Sequence, residues 1–118
     1  MSTELLTVED LVYLFEQTDN VDETAFYFDD DPEQNEHYIG YISKFGDKPY
    51  WIGLCDIDGG CEFATTKELF EAKVFGGKSL NERREHTIIF QIGGFSVDDY
   101  MKYCGGEEIL RNRRKSNV

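Results

Sequence analysis

The first 43 residues hold twelve carboxylates and no lysine or arginine. Ionised side chains are almost never fully buried unless they are paired, and this stretch contains no cation that could pair them locally. Whatever it folds into must keep those carboxylates in water, so only its short apolar runs are free to build a core. Beyond Ser43, twelve acids and twelve bases cancel, and the whole formal charge of −12 comes from the opening stretch. A field that lopsided bears on partners. It opposes direct contact with nucleic acid or an anionic membrane, and it favours a basic protein surface.

The apolar runs read as follows. Thr7-Val8-Glu9-Asp10 opens a helix, with Thr7 as cap, acids in the first turn and Val8, Leu11, Val12 and Phe15 on one face, ending near Gln17. Thr24–Phe28 reads as a strand with Phe26 and Phe28 facing the core and Tyr27 turned away. Residues 29–36 form a charged loop broken by Pro32. Residues 38–43 return as a strand, and residues 49–55 make a third strand, apolar enough to lie centrally. Cys61–Phe63 is a short fourth. Thr65-Thr66-Lys67-Glu68 and Ser79-Leu80-Asn81-Glu82 both match capping boxes. Thr87–Ile92 has the strongest strand composition in the chain. Ser96 caps a last helix that stops at Gly105-Gly106.

This order predicts an α+β fold: one antiparallel sheet of four to five strands, with short helices mainly on one face. Residues 1–110 read as a single acidic domain. Residues 111–118 read as a basic, mobile tail resting on the acidic body, removable for less than ~1 kcal/mol.

The three cysteines, Cys55, Cys61 and Cys104, are odd in number and have no framework spacing, which predicts reduced thiols and an intracellular, cytoplasmic protein. No apolar run is long enough to span a membrane. Signals for catalysis are weak. His37 and His86 have no partnered motif, and Cys55-x5-Cys61 lacks zinc spacing. Asp56-Ile57-Asp58-Gly59-Gly60 lacks the third ligand and the distal glutamate of a calcium loop. Gly77-Lys78-Ser79 has alanine, Ala72, where a phosphate-binding loop needs its first glycine. Consecutive Asp29, Asp30 and Asp31 point apart in an extended chain and suit protein recognition better than a metal. The reading is therefore non-enzymatic, without cofactor or metal.

The candidate site is a partner-binding surface. The loop acids Asp22, Glu23, Asp29, Asp30, Asp31, Glu33 and Glu36 can project, and Tyr27 is the nearest apolar anchor. Replacing Asp29, Asp30 and Asp31 together by Asn is expected to leave the fold intact or to stabilise it by relieving repulsion.

The segment Gly60-Cys61-Glu62-Phe63-Ala64-Thr65-Thr66-Lys67-Glu68-Leu69-Phe70-Glu71-Ala72-Lys73-Val74-Phe75-Gly76-Gly77-Lys78-Ser79-Leu80 is similar to a pattern in small acidic proteins of bacterial phages and conjugative elements. Leu54-Cys55, Cys61-Glu62-Phe63, Lys73-Val74 and a strand followed by Asp98-Asp99 resemble type II-A anti-CRISPR proteins, which block Cas9. The resemblance runs from Pro49 to Tyr100. It implies a mobile-element origin and an inhibitor that mimics DNA with its acids, acting on a Cas nuclease with its guide RNA. The acid excess lies before the matching segment, so no binding residue carries over. Two alternatives remain open: a mobile-element binding module whose acidity serves solubility, and an immunity protein for a basic toxin nuclease.

Overall fold

The computed structural model describes residues 6–116. Helix α1 (Val8–Gln17) starts where the sequence places it. Thr7 Oγ1 accepts the Asp10 backbone N–H at 3.0 Å, and Asp10 Oδ2 accepts the Thr7 N–H at 3.2 Å. Two groups left free at a helix start are thereby satisfied. Val8, Leu11, Leu14 and Phe15 are buried, while Val12 is half-buried at the margin of that stripe.

Strands β1 (Thr24–Phe28), β2 (His37–Tyr41), β3 (Tyr50–Ile52), β4 (Cys61–Phe63), β5 (Thr87–Ile92) and β6 (Phe95–Ser96) form one antiparallel sheet in the order β4-β3-β2-β1-β5-β6. With helices α2 (Thr66–Glu71), α3 (Val97–Tyr103) and α4 (Gly106–Ser116) they make an α+β fold. Among the described residues there are six strands rather than the four or five expected. The extra strand is β6. Gly93 and Gly94 take φ of 60° and 83°, the left-handed pair that a two-residue hairpin turn demands, and Ile92 then pairs with Phe95.

Two boundaries also differ. The return strand ends at Tyr41, because Ser43–Phe45 winds into a turn of 3-10 helix. The third strand is not central: β1 and β2 hold the middle and β3 stands next to the β4 edge. Its apolar run reflects use of both faces, with Ile52 buried inward and Trp51 half-buried outward. Past Gly53 the chain leaves the sheet, and Leu54 is 57% exposed.

The helices gather on one face. Leu11, Leu14 and Phe15 of α1, Leu69 and Phe70 of α2, Tyr100 of α3 and Leu110 of α4 pack in one cluster with Phe26, Phe28, Ile39, Ile52, Ile89 and Ile92 of the sheet. Thr65 caps α2 by accepting the Glu68 N–H, and Ser96 caps α3 by accepting the Asp99 N–H. The box at Ser79 and Glu82 forms both of its bonds, yet it closes turns and the 3-10 segment Arg84–His86 instead of an α-helix.

The basic tail is helical, contrary to expectation. Gly105, at φ 82°, ends α3 and the chain re-enters a helix at Gly106. A side chain at Gly106 would put its Cβ 2.7 Å from the Tyr100 ring, so glycine there lets α4 close onto α3. Glu107 and Glu108 at the start of α4, with Arg113, Arg114 and Lys115 at its end, suit the helix dipole. Residues 117–118 of the expected tail lie outside the described residues. Among the described residues no helix is long and apolar enough to cross a membrane.

Candidate partner-binding surface

The acidic loop between β1 and β2 is folded back on the protein. Asp29 Oδ1 lies 2.9 Å from His86 Nδ1, and the Asp29 N–H donates to the His86 carbonyl at 2.8 Å. Asp30 pairs with Arg83, whose guanidinium carbon sits 4.0 Å above the Phe28 ring. Asp31 accepts the backbone N–H groups of Glu33 and Asn35, each at 3.0 Å. Those bonds favour its ionised form and hold its carboxyl below the usual range. The three aspartates expected to project together toward a partner therefore shape their own loop. Glu33 stays exposed, and its Oε1 accepts from Asn35 Nδ2 at 3.4 Å.

Asp29, Asp30 and His86 place one ligand atom each within 4.8 Å of one another. The Arg83 guanidinium on Asp30 already supplies the positive charge there, which disfavours a metal cation at that position.

The other expected residues converge on the sheet face opposite the helices. Alternation turns Tyr27 outward beside Ile88, its register partner on β5, and its ring meets Phe90 at 6.2 Å. Tyr38 is paired with Ala25, and Trp51 lies opposite Gly40 on one side and Glu62 on the other. Tyr27, Tyr38, Trp51, Ile88 and Phe90 are all half-exposed, and none belongs to the buried cluster.

Acids edge this face. Asp22 accepts the Trp51 indole N–H at 2.7 Å. The indole fits because Gly40 has no side chain: a Cβ there would stand 2.5 Å from Trp51 Nε1 and 2.1 Å from Asp22 Oδ1. Glu36 accepts the Tyr38 hydroxyl at 3.0 Å. That bond, with the charges of Glu36 and Glu23, pushes the Tyr38 hydroxyl up from its usual pKa. Glu23 is held at φ 56°, its carbonyl accepting Gln91 Nε2 at 2.8 Å. No lysine or arginine occurs in any of the six strands.

The structure thus gathers Asp22, Glu23, Tyr27 and Glu36 at the outer face, whereas Asp29, Asp30 and Asp31 are engaged in holding the β1–β2 loop. Sequence reasoning missed Tyr38, Trp51, Ile88 and Phe90. Their signal was the period-2 alternation already applied to Tyr27, extended to the neighbouring strands.

Beside this face an open groove of about 810 Å³ runs between the 30–38 loop and residues 54–56, 75–76 and 83. Phe28, His37 and Phe75 contact one another edge-on or tilted, with ring centroids 5.1–5.5 Å apart. His37 Nδ1 lies 2.6 Å from the Leu54 carbonyl oxygen. Asp56 accepts the N–H groups of Gly76 and Gly77 at 2.9 and 3.2 Å, fixing the turn that forms one wall. Cys55, Cys61 and Cys104 carry free thiols.

Comparison with protein-family models, with curated proteins and with solved structures finds no match.

Proposed function

We propose that this protein is a non-enzymatic inhibitor that occupies the basic, nucleic-acid-binding surface of another protein. The observation that carries the reading is the outer sheet face: five half-exposed aromatic or apolar side chains edged by Asp22, Glu23, Glu36 and Glu62. Solubility accounts for scattered charges of both signs. It does not account for a Tyr- and Trp-bearing patch edged by one sign. Buried aromatic anchors inside a polar rim are the usual anatomy of a protein interface. The carboxylates speed encounter with a cationic surface, and Tyr27, Trp51 and Phe90 then supply the apolar contact that slows release. Exposed carboxylates add no more than about 1 kcal/mol each, so neither element suffices alone.

The resemblance of residues 49–100 to type II-A anti-CRISPR proteins makes a Cas9-type effector with its guide RNA the first target to test, in the cytoplasm. Such effectors hold nucleic acid in positively charged channels, and an acidic body filling such a channel acts as a DNA mimic. The test is target-DNA cleavage by a Cas9-type effector preincubated with the protein, paired with association rates across a salt series. The expected result is inhibition, with association that slows as salt rises. Tyr27→Ser should raise the dissociation rate, and Glu23→Gln with Glu62→Gln should lower the association rate. Absence of inhibition removes the effector assignment. Salt-independent association with every basic nucleic-acid-binding protein tried removes the wider reading.

A further inference from the structure

We propose that Cys55 and Cys61 form a reversible dithiol–disulfide pair, oxidised by a low-molecular-weight disulfide such as oxidised glutathione, whose bond staples the loop between β3 and β4. The inference stands apart from the partner-binding reading. Ile52 of β3 lies opposite Cys61 of β4, and residues 53–60 close that hairpin. Directly opposed side chains of an antiparallel pair share a face, so Cys61 follows the buried Ile52 toward the core. Cys55 and Cys61 are both half-buried against the same apolar cluster, and their sulfurs therefore enter from one side. The neck of the loop is closed: a Cβ at Gly60 would collide with the Ile52 carbonyl oxygen and stand 3.2 Å from Gly53 Cα. The Cys55 thiol donates to the Ile57 carbonyl at 3.7 Å, and the same oxygen accepts the Gly60 N–H at 2.9 Å. Cys55 is thus folded back over the turn, beside the residue that leads into Cys61. There its side chain acts on the Cys61 thiol both by charge and as a hydrogen-bond partner.

Burial, and then the adjacent Cys55, push the Cys61 thiol up, which delays its own attack on an outside disulfide and leaves the first step to Cys55. The Cys55 thiolate attacks one sulfur of the oxidant, forming a mixed disulfide and expelling one thiolate. The Cys61 thiolate then attacks Cys55 Sγ, closing the internal bond and expelling the second. Two cysteine thiols are oxidised, one disulfide is reduced to two thiols, and the cysteine protons pass to those thiols. Cys104 takes no part. It ends α3, which packs on β5 and β6, at the far end of the sheet from β4. The stapled loop carries the exposed Ile57, and its neck stands beside Trp51 and Glu62. Oxidation therefore fixes the chain at one margin of the outer face.

The experiment incubates the folded full chain with graded mixtures of reduced and oxidised glutathione, blocks the remaining thiols with iodoacetamide and maps the products by mass spectrometry. Cleavage before Asp56 and Asp58 separates the two cysteines, so a bond between them is read as a linked pair of peptides. The expected result is a Cys55–Cys61 bond, an alkylated Cys104 and full reversal by dithiothreitol. Cys61→Ser should stop the reaction at a mixed disulfide on Cys55, while Cys104→Ser should leave it unchanged. The equilibrium constant against glutathione should be higher for the folded chain than for the chain in concentrated urea. By linkage the oxidised protein should then melt at a higher temperature than the reduced one. An equilibrium constant no higher in the folded chain would overturn the proposal. So would a bond that includes Cys104, or glutathione on the separate thiols with no internal bond.

Discussion

Arg113 Nη1 lies 2.9 Å from Asp10 Oδ1, joining α4 to α1 through two residues 103 positions apart in the chain. The Asp10 side chain is 5% exposed, and that of Arg113 is 27%. Asp10 both caps α1 and receives α4, so the segment expected to be a loose tail is part of the body.

Replacing Arg113 by Ala should therefore cost about 2–3 kcal/mol, because it leaves a buried carboxylate without its cation. Truncation after Leu110 should cost at least as much. Urea unfolding of the two variants checks this. A loss below about 1 kcal/mol would return Arg113 to the class of exposed pairs.

Tyr100 sets an alkaline limit. Burial, with a lesser contribution from nearby Cys104, pushes its hydroxyl from 10.0 up to about 12. Its O–H donates to Asn20 Oδ1 at 2.8 Å. The unfolded chain releases this proton near pH 10 while the folded chain keeps it, so the stabilisation is complete below pH 10 and is lost as pH rises toward 12. Between these limits the loss should reach about 1–2 kcal/mol. Tyr100→Phe should remove that part of the pH dependence, as read by denaturant unfolding from pH 9 to 12.

The acidic loop makes the opposite prediction from repulsion alone. Asp29, Asp30 and Asp31 hold His86, Arg83 and two loop N–H groups. Changing all three to Asn should lower the unfolding midpoint, not raise it. The carboxyl of Asp31 is held below its usual 3.8, so its share of stability is present above that pH and fades as the pH falls below it. Thermal melts of wild type and triple mutant from pH 2 to 7 check both statements.

Glu23 separates stability from function. A non-glycine residue at φ 56° is strained, and asparagine tolerates that region better. Glu23→Asn should stabilise the fold by about 0.5–1 kcal/mol and slow association with a basic partner. Chemical denaturation and stopped-flow association read the two effects independently. A variant that is stabilised yet associates as fast as wild type would exclude Glu23 from the interface.

Much of the architecture was legible in local chemistry. The boxes at Thr7 and Ser79, the cap at Ser96, the alternation through Phe26, Tyr27 and Phe28 and the strand at Thr87–Ile92 all depend on neighbours a few residues away. The site was only half legible. Tyr27 could be assigned to the outer face from its own strand, but Trp51 needed the register that sets it across from Gly40 and within reach of Asp22. Asp30 was misread because its partner, Arg83, is 53 residues away in sequence.

By itself, the sequence determined that this chain would hold a short capped helix, an antiparallel sheet and an excess of carboxylates that must stay in water. Those outcomes follow from side-chain periodicity, turn chemistry and the cost of burying charge, which act over a few residues at most. Only the tertiary structure decided which carboxylates remain available. Pairing with Arg83, His86 and Arg113 required residues far apart in the chain to meet, and no local pattern encodes that meeting. The same packing put four helices on one side of the sheet and left Tyr27, Tyr38, Trp51, Ile88 and Phe90 on the other.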